Sequence, residues 1–266
     1  MMISLNFLSI IILYLIIGVQ SQNLEKLYNG EEFFYKAAKS IGGNSFTDKV
    51  GPHHYQTMYG FLLLPTLEKF SVNKKKLKFL EIGYGCGQLN VGASVKLWNN
   101  LFADLNVEKW EAEYDLECIN LAKSQGLLAG WNLLLGDQGN VTTLDRWVKE
   151  SGGNFDIIID DGGHVHNMVL TSLSKLWPQL NPDGYYYIED LEVAFWFPEQ
   201  VKAGFPPVTK VLQAWIEVMH VGDVQMSNSP HHKAIISHYP LPEGLDFILC
   251  QKHACVLHKK PSNSVL

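Results

Sequence analysis

The sequence predicts an α/β fold in which a seven-stranded, mostly parallel sheet carries helices on both faces and ends in an antiparallel hairpin. From Leu77 onward, short apolar runs alternate with longer amphipathic stretches, which is typical of repeated βαβ units. Continuous apolar runs indicate parallel strands that are buried on both faces. The last two runs, Asp246–Cys250 and Ala254–His258, are separated by a short turn and predict the hairpin.

The individual elements follow from this alternation. The predicted parallel strands are Leu77–Ile82, Trp110–Tyr114, Asn132–Leu135, Phe155–Ile159 and Tyr185–Ile188. The predicted helices between them are residues 90–103, 115–126, 142–150 and 167–180. A mostly helical segment, 22–75, is expected to precede the sheet and to cover its functional edge. Within the sheet domain, 76–266, residues 191–240 are rich in Phe, Trp, Pro and His and are expected to cap the carboxyl edge of the sheet.

Length and charge exclude some classes of partner. The 266 residues suffice for one large α/β domain and are short for two. The formal net charge is −6, and no basic block is longer than the three lysines at 74–76. Because phosphate binding needs a concentrated positive face, a nucleic-acid partner is not expected.

The N-terminus predicts entry into the secretory pathway. Residues 1–21 contain an apolar core that is short for a membrane span and is followed by small residues, which indicates a cleavable signal; an uncleaved, membrane-bound anchor is the alternative. The folded part is therefore expected in the lumen or outside the cell. Asn140 begins a single N-glycosylation sequon. Cys250 and Cys255 flank the hairpin turn, and either a disulfide or two reduced thiols is compatible with the sequence.

A glycine-rich turn follows the first strand. Glu81, Gly83, Gly85 and Gly87 form an E-x-G-x-G-x-G pattern, in which glycine lets the backbone turn sharply and approach a ligand. A dinucleotide fingerprint would need glycine where Gln88 stands, and no phosphate-binding lysine follows. The loop therefore indicates a ligand without a pyrophosphate.

The next two strand ends carry acids suited to a nucleoside. Glu113 ends the second strand, where it can accept hydrogen bonds from two ribose hydroxyls, and Asp137 follows the third strand, where it can meet an adenine amino group. In this order the motifs resemble those of class I S-adenosylmethionine-dependent methyltransferases. The resemblance implies a Rossmann-like fold and S-adenosylmethionine as cofactor. It also implies that Gln138 and Asp160 belong to the cofactor site.

Carboxylates end the fourth and fifth strands. Asp161 follows the fourth strand, and Glu189 and Asp190 follow the fifth. Neighbouring parallel strands open onto one crevice, so these acids are expected to converge. Carboxylates that meet repel unless a cation or protons intervene, and an all-oxygen set favours Mg²⁺ or another hard divalent cation. Two alternatives stay open: a zinc site that uses His164 and His166, and plain solvated carboxylates.

A narrower resemblance concerns the sequences "IDDGGH" and "YYIEDL". They resemble metal-dependent sugar O-methyltransferases of macrolide and rhamnosyl-antibiotic pathways, and also a eukaryotic branch of methyltransferase-like proteins. The resemblance implies that Asp161, Glu189 and Asp190 bind the metal and that His164 is the general base. The segment "TDKVGPHHYQTMYG" resembles the same group. The residues it would bring to the active site are Thr47, Asp48, Lys49, His54, Tyr55 and Tyr59.

The expected function is transfer of a methyl group to a hydroxyl of a sugar, glycan or polyol-like acceptor, with S-adenosylmethionine and Mg²⁺. A bound cation would lower the pKa of that hydroxyl, and His164 would remove its proton at neutral pH. One alternative is a catechol- or phenol-type O-methyltransferase, which usually has a lysine base. Another is a non-catalytic secreted binding protein that keeps the fold.

Overall fold

The structure is a computed structural model that describes residues 29–41, 47–198, 204–222 and 230–262. The signal expected at 1–21 lies outside these residues. The strands are β1 (Leu77–Ile82), β2 (Val107–Glu113), β3 (Trp131–Leu135), β4 (Phe155–Asp160), β5 (Leu180–Ile188), β6 (Leu245–Gln251) and β7 (Ala254–Lys259). They form one seven-stranded sheet in the order β3-β2-β1-β4-β5-β7-β6.

Strand directions confirm the expected fold class. β1 to β5 pair in parallel, whereas β7 pairs antiparallel with both β5 and β6. The order of the strands reverses at β1 and β4, and open α/β sheets bind ligands outside the carboxyl ends at such a point. The Rossmann-like, mostly parallel sheet with a C-terminal hairpin is thus confirmed.

Helices connect the strands and cover the sheet. Helix α1 spans residues 29–40. Helix α2 continues from Gln56–Met58 through a π-helical stretch, Tyr59–Leu63, into Leu64–Val72. The later helices are α3 (Ala93–Leu101), α4 (Leu116–Ser124), α5 (Val141–Ser151), α6 (His166–Leu176), α7 (Val193–Trp196), α8 (Val208–Val221) and α9 (Pro230–His238). Among the described residues, none of these helices is long and apolar enough to cross a membrane.

Two apolar cores lie on opposite faces of the sheet. Successive residues of a strand point to opposite faces, and neighbours such as Ile158 and Ile159 accordingly belong to different cores. One core packs against α5, α6, α8 and α9, and the other against α1 to α4. Both cores are needed because the parallel strands expose apolar side chains on both faces.

The predicted strands are correct to within a few residues at most ends. The largest difference is at β5, which begins at Leu180 rather than Tyr185. The register between β4 and β5 shifts between Phe155 and Ile157, so the first part of β5 pairs irregularly. Asn, Pro, Asp and Gly at 181–184 carry little strand propensity, which explains why the sequence does not predict this part.

Two disulfides close loops at the carboxyl edge. Cys250 and Cys255 face each other across the β6–β7 turn and are bonded, which resolves the two possibilities left open by the sequence. Cys86 and Cys118 form a second disulfide that the sequence does not predict. It joins the glycine-rich loop after β1 to helix α4 across 32 residues of sequence.

Candidate active site

A cavity of about 640 Å³ opens at the carboxyl edge of the sheet, within the usual size of a small-molecule site. The glycine-rich loop forms one end, and the tips of β4 and β5 form the other. Residues from both ends line it, including Gly83, Gly85, Glu113, Gln138, Asp161, His164 and Asp190. The cavity thus brings together part of the predicted cofactor and metal residues, whereas five others do not line it: Glu81, Gly87, Asp137, Asp160 and Glu189.

Gly83 allows the tips of β1 and β4 to come together. A Cβ at this position would lie 2.0 Å from the backbone oxygen of Asp161, and φ is +110°, which strains any other residue. The Gly83 amide donates to Ala112 at 2.8 Å, and the Asp161 amide donates to Ile82 at 2.9 Å. The two strand ends are therefore fixed close to each other by backbone contacts.

Glu113 anchors the glycine-rich loop from the end of β2. Its Oε2 accepts a hydrogen bond from the Tyr84 amide at 3.1 Å. Its Oε1 accepts from the amides of Tyr114 and Asp115 at 2.7 and 3.0 Å. A carboxylate can accept about four hydrogen bonds, so Oε2 keeps the capacity to accept one more in the cavity.

Glu81 lies behind the loop and outside the cavity lining. Its carboxylate is fully buried, accepts a hydrogen bond from Ser94 at 2.9 Å and lies 3.5 Å from the ammonium of Lys49. Burial raises the pKa of Glu81, although the charge of Lys49 partly opposes this. Its contacts hold α3 and the N-terminal segment against the end of β1.

Of three residues predicted to bind the cofactor, Gln138, Asp137 and Asp160, the first lines the cavity and the other two do not. Gln138 lines the cavity, accepts from the Gly163 amide at 2.8 Å and donates to Asp160 at 2.8 Å. Asp160 is buried below it, holds the hydroxyls of Ser172 and Tyr186, and does not line the cavity. Asp137 turns toward its own loop, where it accepts from the Gly139 amide at 2.7 Å. In this structure Gln138 therefore faces the ligand space and the two acids do not.

Lys49 is the buried cation at the tips of β4 and β5. Its side chain is 1% exposed, and its Nζ lies 2.6 Å from Asp161 Oδ2 and 2.5 Å from Glu189 Oε2. Burial lowers the pKa of Lys49, but the charges of Asp161, Glu189 and Glu81 outweigh it, so that pKa lies well above its usual range. Lys49 is consequently a fixed positive charge.

The carboxylates around Lys49 carry more negative charge than one lysine neutralises. Burial raises the pKa of Asp161 and that of Glu189 despite the opposing effect of Lys49. Two tyrosines add neutral donors: the Tyr59 hydroxyl bonds to Glu189, and the Tyr55 hydroxyl donates to Asp190 Oδ1 at 2.5 Å. The site is therefore built to receive further positive charge or protons.

Asp161, Asp190 and His164 converge on one point of the cavity. One ligand atom from each lies within 4.8 Å of the others. His164 Nε2 is 3.9 Å from Asp161 Oδ1 and 3.9 Å from Asp190 Oδ2. His164 and Asp190 both have left-handed backbones, with φ of +53° and +52°, a conformation that is uncommon outside glycine and often marks functional sites.

Two predicted ligands lie outside this group. Glu189 points toward Lys49 and Tyr59 instead of the point where Asp161 and Asp190 meet. His166 is 5% exposed, and its ring packs against Phe195 with the ring centroids 5.2 Å apart. The His-x-His pair therefore does not converge, because its second ring faces the cap.

The "TDK" segment reaches the site mostly as its resemblance implies. Thr47 and Asp48 line the cavity, whereas His54 lies outside it with its Nδ1 3.3 Å from Nε2 of the Gln56 side chain. His53 takes the position in the cavity, with its Nδ1 3.6 Å from Asp190 Oδ1. With two adjacent histidines, the sequence gives no periodicity that tells which ring faces inward.

Comparisons with known proteins agree with the fold and with the narrower resemblance. No protein-family model matches the chain. Mycinamicin VI 2''-O-methyltransferase of Micromonospora griseorubida is 30% identical over 161 residues, which are 59% of this chain and 36% of that protein. The 8-demethyl-8-alpha-L-rhamnosyl tetracenomycin-C 2'-O-methyltransferase of Streptomyces olivaceus is 30% identical over 152 residues, 56% of this chain and 36% of that protein.

A solved structure extends the similarity to the whole fold. The methyltransferase MycE from the mycinamycin biosynthetic pathway, in complex with Mg, SAH and mycinamycin VI, superposes with a TM-score of 0.60 at 21% identity. The match covers 90% of this chain and 54% of that chain. The chain spans about a third of the length of the curated relatives it matches. This chain thus has the fold of class I methyltransferases and is similar in sequence to sugar O-methyltransferases over more than half of its length.

Proposed function

We propose that this protein is an S-adenosylmethionine- and Mg²⁺-dependent O-methyltransferase whose acceptor is a hydroxyl of a sugar, glycan or similar polyol. The observation that carries the proposal is the convergence of Asp161, Asp190 and His164 in the cavity that also contains the glycine-rich loop. The relatives named above support it, since their names describe O-methylation of mycinamicin VI and of a rhamnosyl tetracenomycin.

The cofactor end of the cavity fits the ribose of a nucleoside. Glu113 retains one acceptor position on Oε2, which suits a ribose hydroxyl. The Gly85 backbone lines the cavity with φ of +80°, and the nearest atom to an added Cβ beyond its chain neighbours would be Gln88 Cγ at 3.9 Å, so the loop leaves space next to Gly85. In the proposed complex Glu113 holds the ribose, and Gln138 lines the wall beyond it.

The donor set at the other end fits a hard divalent cation. Mg²⁺ commonly binds to one or two carboxylates and keeps several waters or substrate oxygens, so Asp161 and Asp190 suffice as protein ligands. When bound, such a cation lowers the pKa of a coordinated acceptor hydroxyl and fixes its position. Glu189, the third acid expected to bind the metal, instead holds Lys49 and Tyr59 and so positions Asp161 indirectly.

His164 is the group proposed to accept the proton of the acceptor hydroxyl. Its Nε2 faces both carboxylates at 3.9 Å, and its side chain lines the cavity. Imidazole is the side chain that most often serves as a general base in enzymes. The methyl transfer then requires alignment of the acceptor oxygen with the methyl group and the sulfur. The strand tips that carry Asp161 and Asp190 would hold the acceptor side of this arrangement in place.

The catechol-type alternative is less well supported. Such an enzyme usually has a lysine base, but Lys49 is ion-paired and its raised pKa keeps it protonated. No lysine is among the described residues that line the cavity. The non-catalytic alternative predicts decay of some of these positions, yet the glycine, ribose and carboxylate positions are all present.

The location proposed for the protein is the lumen of the secretory pathway or the cell exterior. The sequence of residues 1–21 is the first argument. The second is the pairing of all four cysteines in two disulfides, which persist in oxidising compartments. Asn140, the sequon residue, is exposed at the start of α5, where its side chain also caps the helix.

The test combines binding with methyl transfer. Calorimetry should detect S-adenosylmethionine binding to the purified protein, and tritiated-methyl transfer should then be screened over glycans and catechols with Mg²⁺ or with EDTA. We expect transfer to glycans that EDTA abolishes. His164→Ala should lower turnover by about 10²- to 10⁴-fold, the usual contribution of a general base, and leave cofactor affinity unchanged.

His220→Ala is the matched control, because His220 is exposed on α8 and its Nδ1 lies 2.7 Å from the Ile216 carbonyl of the same helix. Its turnover should equal that of the wild type. Absence of cofactor binding by folded protein would contradict both enzyme readings and favour the binding protein. Transfer to catechols alone would favour the second enzyme class, and full turnover by His164→Ala would remove this residue from the base role.

A further inference from the structure

We propose that His53, Glu192 and His253 form a second cation site, which accepts Zn²⁺ or a similar transition-metal ion. One ligand atom from each of these residues lies within 4.8 Å of the others. The group is separate from Asp161, His164 and Asp190, and it is made of different donors. It does not depend on the proposed methyl transfer.

Three separate segments bring this cluster together. His53 lies in the loop before α2, Glu192 follows β5, and His253 lies in the β6–β7 turn. The Leu191 amide donates to the His253 carbonyl at 2.8 Å, which fixes the β5 end to the turn. The disulfide between Cys250 and Cys255 closes the same turn. The backbone that carries Glu192 and His253 is thus fixed by a hydrogen bond and by a disulfide.

The candidate ligand atoms are buried and do not form well-aligned hydrogen bonds with one another. His253 Nδ1 is 2.7 Å from Glu192 Oε1, and His53 Nδ1 is 3.8 Å from the same oxygen. Despite this proximity, both carboxylate oxygens and both Nδ1 atoms are buried without a well-aligned hydrogen bond among the described residues. Buried polar atoms without such partners are costly. A cation at the centre of the cluster would satisfy all of them.

The backbone of the turn also favours a ligand role for His253. Its φ is +69°, a left-handed conformation that is uncommon outside glycine. This conformation directs the ring toward Glu192, and the ring of Trp196 lies against it with the centroids 6.2 Å apart. Uncommon backbone conformations are held in place most often at functional sites.

The donor types select the ion. Two imidazoles and one carboxylate are a common zinc set that leaves a fourth position open, whereas Mg²⁺ prefers oxygen ligands. The neighbouring Asp161 and Asp190 group is richer in oxygen, so the two groups are expected to prefer different ions. Asp190 lies between them: its Oδ1 is 3.6 Å from His53, and its Oδ2 is 3.9 Å from His164.

The experiment uses Co²⁺ as a spectroscopic substitute for Zn²⁺. Purified protein with its disulfides intact is stripped with a chelator and titrated with Co²⁺ in excess Mg²⁺, which keeps the oxygen-rich group occupied. We expect visible absorption from nitrogen-bound Co²⁺ that saturates at about one equivalent and is removed by Zn²⁺. His53→Ala and His253→Ala should each weaken binding by at least ~10-fold, since even the loss of an outer partner has an effect of that size.

Two controls separate this site from its surroundings. His232→Gln removes another half-buried histidine that contacts a glutamate, Glu217, and should keep the Co²⁺ spectrum. Asp161→Asn weakens the proposed Mg²⁺ site and should also keep it, so failure of the proposed function leaves this result unchanged. Glu192→Gln removes the charge of the third ligand while nearly keeping its shape, so it tests the site even if a histidine variant fails to fold. Thermal unfolding of each variant shows whether it is folded.

Each outcome decides for or against the site. A one-equivalent spectrum lost in the two histidine variants supports it. Wild-type protein that gives no visible band would overturn it and leave a buried ion pair between His253 and Glu192. A band that persists in both histidine variants but disappears in Asp161→Asn would also overturn it, because Co²⁺ would then occupy the other group.

Discussion

The two ends of the cavity satisfy their acids in different ways. At the tip of β2, Glu113 accepts hydrogen bonds from three backbone amides, which are neutral and fixed. At the tips of β4 and β5, Asp161 and Glu189 share the charge of Lys49, and Asp190 is bonded to a tyrosine. Backbone amides therefore stabilise the acid at the cofactor end, and the Lys49 ammonium stabilises the acids at the other end.

This difference indicates what each end can bind. Backbone donors hold Glu113 in one orientation and leave an acceptor position for the hydroxyls of a ligand. Around Lys49, three acids lie within 4 Å of one ammonium among the described residues: Glu81, Asp161 and Glu189. The excess of negative charge favours a cation there, because close carboxylates otherwise raise one another's pKa.

The largest expected effect comes from removing the shared charge with Lys49→Met. Loss of one partner of a buried ion pair leaves uncompensated charge and typically costs about 3–5 kcal/mol. The free energy of unfolding, measured with urea in EDTA, should fall by that amount. EDTA is needed because a divalent cation would otherwise replace the ammonium. Lys36→Met is the control, since its pair with Glu32 is exposed and should change stability by less than about 1 kcal/mol.

A double variant shows whether the effect arises at Glu189. Lys49→Met together with Glu189→Gln removes the charge on both sides and should recover part of the lost stability. A cost below about 1 kcal/mol for Lys49→Met alone would contradict the charge-based description of this end.

Much of the fold follows from the sequence, because buried parallel strands give apolar runs that end at a defined edge. Glu113 and Asp161 are predicted at the cavity because each stands at the end of such a run, whereas His164 is expected there from the resemblance. The pairing of β4 with β5 likewise follows from the order of the βαβ units.

Side-chain direction at the strand ends could not be predicted in the same way. Asp137 and Asp160 stand at expected positions but turn toward local donors, because short acids readily bond to nearby amides and hydroxyls. His53 and His253 lie more than 190 residues apart in loops without periodicity, so their proximity follows only from tertiary packing. The disulfide between Cys86 and Cys118 was missed for the same reason.

The second expected effect tests the end that uses the backbone. Glu113→Gln keeps the shape but removes the charge that is proposed to hold the ribose. A hydrogen bond to a charged group contributes about 1.5–3 kcal/mol, so S-adenosylmethionine should bind about 10- to 100-fold more weakly by calorimetry. Glu117→Gln, on the exposed face of α4, should bind normally. Unchanged affinity in Glu113→Gln would mean that this carboxylate serves only the loop.

The smallest expected effect concerns Glu111, which pairs in register with Glu81 and is buried without hydrogen-bond partners for its oxygens among the described residues. Burial, followed by the charges of Glu81 and Glu113, raises the pKa of Glu111 well above its ordinary value of 4.5. The folded protein therefore binds this proton more tightly than the unfolded chain, so stability should fall as the pH rises from about 4.5 toward the raised pKa.

Glu111→Gln removes this contribution, and its Tm should fall less than that of the wild type across the same range. Glu150→Gln, at an exposed position, should follow the wild type, and an equally steep fall in Glu111→Gln would show that Glu111 is ionised in the folded protein.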